Sequence, residues 1–299
     1  MPASVDLHGV WLPLITPYAA DGSVDLGAVE RLVHEYLDAG AAGIVALGTT
    51  GEAPALDADE KHAVIHACSQ ACASRGASLM VGTGTNSTRT TVSATTALAG
   101  LPALTSVLIV VPYYVRPSEA GIVEHIRAVA AQSPVPVVIY NIPYRTGRAL
   151  GASAIVELAR TANVAGIKQA VGALDSDTLE VLRDAPDGFH VLCGEDPFIE
   201  PMMLMGAHGS ITASAHVCTE RFVAMVECGL HGKVDDGRRH AEALLEVVQA
   251  GFVEPNPAVF KAALHAQGRI ATPDVRAPMT NASAGATDAM MQAIARASA

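Results

Sequence analysis

A lysine inside an apolar segment is the first sign of chemistry in this sequence. Lys168 lies in the stretch VAGIKQAVG, residues 164–172, whose other side chains predict a short buried strand. An ammonium ion in such a place must be paired with an anion or lose its proton. A lysine that has lost its proton is a nucleophile, which can attack a ketone and form a Schiff base.

Polar side chains follow the ends of several other predicted strands. If these strands are parallel neighbours, their carboxyl ends meet at one rim, and the side chains converge there with the lysine. The residues in question are Thr49, Thr50, Tyr113, Tyr114, Tyr140 and Arg145.

This set of residue types is suited to one kind of reaction. A tyrosine hydroxyl that is backed by threonine hydroxyls can carry the protons that imine formation requires. The GTTG turn at residues 48–51 offers backbone N–H groups to a carboxylate, and Arg145 can bind a second carboxylate in a fork. The pattern indicates an enzyme that forms or breaks a carbon–carbon bond of a 2-oxo acid, with no metal ligands and no cofactor in the site.

The elements that would position these residues alternate regularly. Short runs of β-branched residues without polar alternation predict strands buried on both faces, and amphipathic helical patterns lie between them. Eight such units predict a (β/α)8 TIM barrel; an open doubly wound sheet is the alternative, but the expected glycine-rich turn after the first strand is missing. The predicted strands are 9–15, 43–48, 78–82, 106–111, 136–140, 164–168, 189–193 and 209–212.

The end of the sequence has a different pattern. After residue 217 the periodicity is helical, with segments at about 217–229, 231–251, 257–267 and 286–298. We therefore predict a barrel catalytic domain over residues 1–229 and a C-terminal helical extension over residues 230–299.

Composition excludes several other classes of function. The net charge of −11 argues against partners such as nucleic acids or anionic membranes, and no apolar stretch is long enough to span a bilayer. The five cysteines include no CxxC pair, which favours a reduced, cytoplasmic protein. His62 and His66 are four residues apart on a predicted helix, but no HExxH pattern accompanies them.

Five motifs occur in the order of a known family: GTTGE, PYYVRP, YNIPYRTG, GIKQAVG and EPNP. Together they resemble the dihydrodipicolinate synthase family, within the pyruvate-dependent class I aldolase superfamily that also contains N-acetylneuraminate lyase. The resemblance implies a TIM barrel that works without a cofactor and assembles as a homotetramer, a dimer of tight dimers.

The resemblance also implies roles for the catalytic residues. Lys168 would form the Schiff base with pyruvate, and Tyr140 would shuttle protons. Thr50 would link Tyr140 to Tyr114, which would reach into the site of the neighbouring subunit.

Further residues are implied in substrate binding. Thr49 and Thr50 would hold the carboxylate of pyruvate, and Arg145 would hold that of a small carboxylated aldehyde. The carbonyl of Ile211 would lie near the lysine, and Gly194 would border the pocket.

The second substrate is the least determined part. The arginine of RTG at 145–147 favours L-aspartate 4-semialdehyde, and so the synthesis of 4-hydroxy-tetrahydrodipicolinate in lysine and diaminopimelate formation. Three departures from the family pattern, Tyr144, Gln169 and Glu195, are expected around the pocket of the aldehyde. Aldolases of the same superfamily that act on 2-keto-3-deoxy sugar acids, 4-hydroxy-2-oxoglutarate or N-acetylneuraminate are the alternatives.

Two unrelated readings are also open at this point. One is a metal-dependent or phosphate-handling barrel enzyme, although no P-loop is present. The other is a catalytically silent relative that serves as a binding protein, although such a chain would be expected to have lost Lys168 or Tyr140.

Overall fold

Eight parallel strands form a closed barrel in the order of the sequence, so the predicted (β/α)8 fold is confirmed. The computed structural model describes residues 5–298. The strands are β1 Gly9–Pro13, β2 Gly43–Ala46, β3 Ser78–Gly82, β4 Leu104–Val110, β5 Val137–Asn141, β6 Val164–Gln169, β7 His190–Cys193 and β8 Gly209–Ile211.

The strand register decides which side chains face the interior of the barrel. Strand β8 pairs with β1 and closes the barrel, with Trp11 opposite Ile211. Tyr140 of β5 lies opposite Lys168 of β6, so the two side chains point to the same face. Trp11, Tyr140 and Ile211 belong to one buried apolar cluster, which fills the barrel interior.

Helices cover the outside of the barrel and continue beyond it. A large apolar layer lies between strands and helices, and a separate apolar cluster holds the last three helices together. The helices are α1 Leu26–Asp38, α2 Ala58–Ser74, α3 Thr88–Thr96, α4 Glu119–Ala130, α5 Pro143–Thr146, α6 Ala152–Ala159, α7 Ser176–Asp184, α8 Ile199–Leu204, α9 Thr219–Leu230, α10 Val234–Gly251, α11 Ala258–Ala266 and α12 Ala284–Ala297.

The predicted strands all occur in the structure, and some of their ends differ from the prediction by a few residues. Strand β2 ends at Ala46 rather than at residue 48, because Leu47 adopts a left-handed backbone conformation with φ 55° that a strand cannot contain. The domain boundary after residue 229 stays a prediction; it falls in the last turn of α9. None of the helices within residues 5–298 is both long and apolar enough to cross a membrane.

A second buried lysine connects the C-terminal extension to the barrel. Lys261 of α11 is fully buried, and its Nζ donates hydrogen bonds to Glu52 Oε1 and to the carbonyl of Thr16, each at 2.8 Å. Nζ also lies 3.8 Å from the centroid of the Tyr18 ring. Burial lowers the pKa of Lys261 to about 8 and the Glu52 carboxylate opposes this shift, so the ammonium form persists at neutral pH.

Glu52 stands at the end of the GTTGE motif, so this ion pair holds a turn at the rim of the barrel. Its second carboxylate oxygen accepts a hydrogen bond of 2.8 Å from the backbone N–H of Arg276. The Arg276 guanidinium in turn binds Glu60 at the start of α2. The loop after β2 is therefore tied at two points to the C-terminal extension.

Replacing Lys261 by methionine is expected to destabilise the fold by about 3–5 kcal/mol, because the Glu52 carboxylate would stay buried without its cation. Urea denaturation measures the loss. Arg75→Ala is the control: it removes the exposed pair with Asp38 and should cost less than about 1 kcal/mol. Equal effects of the two substitutions would contradict a structural role for the buried pair.

Candidate active site

Lys168 is buried with no carboxylate partner. Only 8% of the residue is exposed, and within residues 5–298 no Asp or Glu oxygen lies within 4.0 Å of its Nζ. Nζ lies 4.5 Å from the centroid of the Tyr140 ring. Burial lowers the pKa of Lys168 to about 8, although the negative charge of Asp196 acts in the opposite direction. A minor but reactive fraction of this lysine, roughly one amine in ten at pH 7, is therefore uncharged.

Tyr140 is the group beside this lysine that can carry a proton. Burial raises its pKa to about 12, while the nearby Thr49 hydroxyl and the charge of Arg145 oppose the shift. The phenol keeps its proton at neutral pH and can donate it to a developing negative charge.

A cavity of about 470 Å³ opens next to Tyr140, and Lys168 is not among the residues that line it. Thr49, Tyr140 and Arg145 line it from the strand ends, and Asn256 and Met279 line it from the C-terminal extension. Most of its other lining residues are apolar, which is typical of a site for a small ligand held by a few polar groups.

Gly194 stands next to Lys168. A Cβ added to Gly194 would lie 2.8 Å from Lys168 Cε and 2.8 Å from the Cβ of Ala170. Only a glycine leaves room at this position for the lysine side chain. Ile211 ends β8 and packs in the same interior cluster as Tyr140.

The two threonines of the GTTGE motif have different surroundings, and the contact made by Thr50 differs from the one that the family resemblance implies. Thr49 lines the cavity with Tyr140 and lies close enough to influence the pKa of its phenol. Thr50 is buried, and its Oγ1 accepts a hydrogen bond of 3.0 Å from Asn256 Nδ2. Within the described residues Thr50 has no hydrogen bond to Tyr140 or to Tyr114. The expected link from Tyr140 through Thr50 to Tyr114 is therefore not made within a single chain.

Asn256 is a site residue that sequence reasoning did not assign. It comes from the EPNP motif, more than 200 positions after the threonine that it binds. Its Oδ1 is buried without a hydrogen-bond partner among the described residues. The only signal in the sequence was the motif itself, which carries no indication of the contact.

The two adjacent tyrosines after β4 have different environments. Tyr113 lines the cavity. Tyr114 is 87% exposed and lies outside the cavity of its own chain, on a left-handed backbone with φ 70°. An exposed aromatic ring in this position is available to another molecule.

Arg145 lines the cavity without a carboxylate partner among the described residues. Its guanidinium lies 5.2 Å from the centroid of the Tyr144 ring, which is itself 65% exposed. A cation in such a position is free to bind an anionic group that enters the cavity.

One expectation about the second-substrate pocket is wrong. Gln169 points away from the cavity, because neighbouring residues of a strand face opposite sides of the sheet and Lys168 takes the inner side. Its Oε1 accepts a hydrogen bond of 3.1 Å from Asn141, and its Nε2 donates one of 3.1 Å to Thr178. Gln169 thus packs between the barrel and the helices and does not select a substrate by direct contact.

Glu195 and Asp196 follow the end of β7. Asp196 is buried, and its Oδ2 accepts a hydrogen bond of 2.8 Å from the backbone of Ser214. Burial raises the pKa of both carboxyl groups. Both charges act on Lys168 from a distance and favour its protonated form, the effect of Asp196 being the larger.

Comparison with known proteins gives consistent results over nearly the whole chain. The model of the Dihydrodipicolinate synthetase family matches residues 6–297. The 4-hydroxy-tetrahydrodipicolinate synthase of Moorella thermoacetica is 38% identical over 269 residues, which cover 90% of this chain and 91% of the relative.

Solved structures show the same similarity. The chloride-inhibited dihydrodipicolinate synthase of Acinetobacter baumannii, complexed with pyruvate, superposes with a TM-score of 0.93 at 30% identity and covers 98% of this chain and 99% of its own. A structure described as the first monomeric dihydrodipicolinate synthase variant gives a TM-score of 0.93 at 28% identity, with 97% of both chains covered.

The barrel and these comparisons define the protein as an enzyme of the class I aldolase type. The chain belongs to the dihydrodipicolinate synthetase family. The family resemblance drawn from the sequence motifs is confirmed.

Replacing Gly194 by alanine is expected to displace the side chain of Lys168, since the new methyl group meets both Lys168 and Ala170. A misplaced nucleophile should react with pyruvate more slowly, on the order of tenfold or more. Borohydride trapping of the pyruvate adduct measures the rate. Gly285→Ala, where nothing lies within 4 Å of the added atom, should leave it unchanged. Trapping by the Gly194 variant at the normal rate would contradict the steric argument.

Proposed function

We propose that the protein condenses pyruvate with L-aspartate 4-semialdehyde to give 4-hydroxy-tetrahydrodipicolinate, through a Schiff base on Lys168. The observation that carries the proposal is the buried amine of Lys168, which has no carboxylate partner among residues 5–298 and lies beside Tyr140, a residue that lines a small cavity. The names of the relatives support the choice of product. The reaction needs no cofactor, because the lysine itself provides the covalent chemistry.

Lys168 would act first. With a pKa of about 8, roughly one amine in ten is uncharged at pH 7, against roughly one in three thousand at the ordinary value of 10.5. The amine attacks the C2 carbonyl of pyruvate, and the carbinolamine loses water to give a protonated imine. Loss of a proton from the methyl carbon then gives an enamine, whose carbon adds to the aldehyde.

Tyr140 would carry protons between these intermediates. Its raised pKa keeps the phenol protonated, so it can donate to the oxygen of the carbinolamine as water leaves. Thr49 lies beside Tyr140, and the backbone of the GTTG turn supplies N–H donors for the pyruvate carboxylate. Thr50, fixed by Asn256, would present its own hydroxyl hydrogen to the same carboxylate.

Arg145 would bind the carboxylate of the aldehyde. Its guanidinium faces the cavity without a carboxylate partner in the described chain. A carboxylated aldehyde is thereby favoured over a neutral one. A panel of aldehydes, tested with the pyruvate-loaded enzyme, distinguishes the synthase reaction from those of the related sugar-acid aldolases.

Tyr114 would serve the site of a neighbouring subunit. The exposed ring is followed by Val115, which is 58% exposed, so an apolar surface is presented beside the cavity mouth. We expect a homotetramer built from tight dimers. The relative described as a monomeric variant has the same fold, so sedimentation of this chain must decide the assembly.

Incubation with pyruvate and borohydride is expected to leave a covalent adduct on the peptide that contains Lys168. The rate of trapping should rise with pH through about 8, because the uncharged amine is the reactive form and predominates above its pKa. Peptide mass spectrometry locates the adduct.

Lys168→Arg should give no adduct, because a guanidinium stays protonated. Lys233→Arg, at an exposed lysine, is the control and should react normally. An adduct on Lys61, Lys233 or Lys261 in the unmodified sequence would disprove the assignment.

Arg145→Ala is expected to lower kcat/KM for the aldehyde by roughly 10- to 150-fold, which corresponds to the loss of about 1.5–3 kcal/mol from a charge-assisted pair. Trapping of pyruvate at Lys168 should be nearly unchanged. Arg148→Ala is the matched control, since Arg148 lies three residues further along the chain and donates to the carbonyl of Arg116. An equal loss in pyruvate trapping and in kcat/KM for the aldehyde would show that Arg145 does not recognise the aldehyde.

A further inference from the structure

Three histidines and an aspartate meet at the face of the barrel opposite the cavity. Asp6 and His8 precede β1, His190 begins β7, and His208 precedes β8. Strands β7, β8 and β1 are consecutive neighbours in the closed barrel, so their amino ends lie side by side. Backbone hydrogen bonds fix this arrangement, from Gly9 N to His208 O at 3.1 Å and from His208 N to Val191 O at 2.9 Å.

The three imidazole rings are closely spaced. Ring centroids are 5.2 Å apart for His8 and His190, 5.2 Å for His8 and His208, and 4.9 Å for His190 and His208. Two imidazoles on one tetrahedral zinc ion, with Zn–N bonds of about 2.0–2.1 Å, have centroids roughly 5 Å apart. The spacing of His8 and His190 therefore suits a shared metal ion.

Asp6 completes a set of three ligand groups. Its Oδ1 lies 2.6 Å from His8 Nδ1. Within residues 5–298, Asp6, His8 and His190 are the one group of three or more His, Cys, Asp or Glu side chains whose ligand atoms all lie within 4.8 Å of one another.

The hydrogen bonds of the imidazole rings determine which ring has an unprotonated nitrogen available to bind a metal ion. His190 Nδ1 faces the carbonyl of Ala165 at 3.4 Å, which keeps the proton on Nδ1 and leaves Nε2 free, as in many histidine ligands. His208 Nδ1 accepts a hydrogen bond of 3.1 Å from the backbone N–H of Val191, so its proton is on Nε2. His208 is therefore a neighbour of the site and not a ligand.

We infer that Asp6, His8 and His190 form a binding site for a divalent transition-metal ion of the zinc type. Two imidazoles and one carboxylate match the ligands that such ions prefer, whereas magnesium and calcium prefer oxygen alone. The ion would replace the proton shared by Asp6 and His8, and water would take the fourth position. The site lies at the amino ends of the strands, away from Lys168, so its role is to fasten the segment before β1 to β7.

The test is calorimetric titration of the metal-stripped full chain with zinc, together with its thermal unfolding midpoint. His62 and His66 on α2, whose ring centroids are 4.2 Å apart, could bind a metal ion on their own, so all titrations use the His66→Gln background. The expected result is one zinc ion per chain with a Kd of about 1 μM or tighter, and a midpoint that rises on zinc addition.

Two exposed substitutions separate metal binding from folding. Asp6→Asn and His8→Gln should each weaken zinc binding at least tenfold without changing the midpoint of the metal-free protein. Glu30→Gln is a control for loss of charge at another exposed position and should bind zinc normally. Unchanged binding in the Asp6 and His8 variants, or no binding below about 100 μM in the His66→Gln parent, would overturn the proposal.

Discussion

The free energy of burying an amine without a counter-charge is the constraint on which the site depends. Lys168 and Lys261 are both buried, and burial lowers the pKa of each to about 8. Lys261 donates to a carboxylate at 2.8 Å and is closed off from solvent, whereas Lys168 has no such partner within 4.0 Å in the part of the chain that the structure describes. The first is therefore a structural ion pair, and the second keeps an amine available for reaction.

The C-terminal extension is part of this arrangement and more than a cover for the barrel. Glu52, at the end of the GTTGE turn, depends on Lys261 and on the backbone of Arg276 for its hydrogen bonds. Thr50 in the same turn is held by Asn256. The turn that would receive the pyruvate carboxylate is thus held from one side by the strands and from the other by the extension. A rigid turn is what a preorganised anion site requires.

Sequence reasoning succeeded where a pattern is local and periodic. The eight strands follow from apolar runs, and the positions of Lys168 and Tyr140 at neighbouring strand ends follow from the parallel order. It failed where a long-range contact determines the partner of a residue, or where the alternation along a strand determines which way a side chain points. Gln169 was expected at the substrate pocket but faces the outer layer, because it follows an inward-facing residue. The partner of Thr50 comes from the EPNP motif, and nothing local to either segment predicts that pairing.

By itself, the sequence determined the barrel, the family and the candidate nucleophile, since these depend on hydrophobic periodicity and on motifs in a fixed order. Only the tertiary structure decided which buried lysine is paired and which is not. It also placed Thr49 rather than Thr50 beside Tyr140, and it brought together His8 and His190, which are far apart in the sequence. The contact between the two histidines depends on the closure of the barrel, because closure places the first strand beside the last and so near β7.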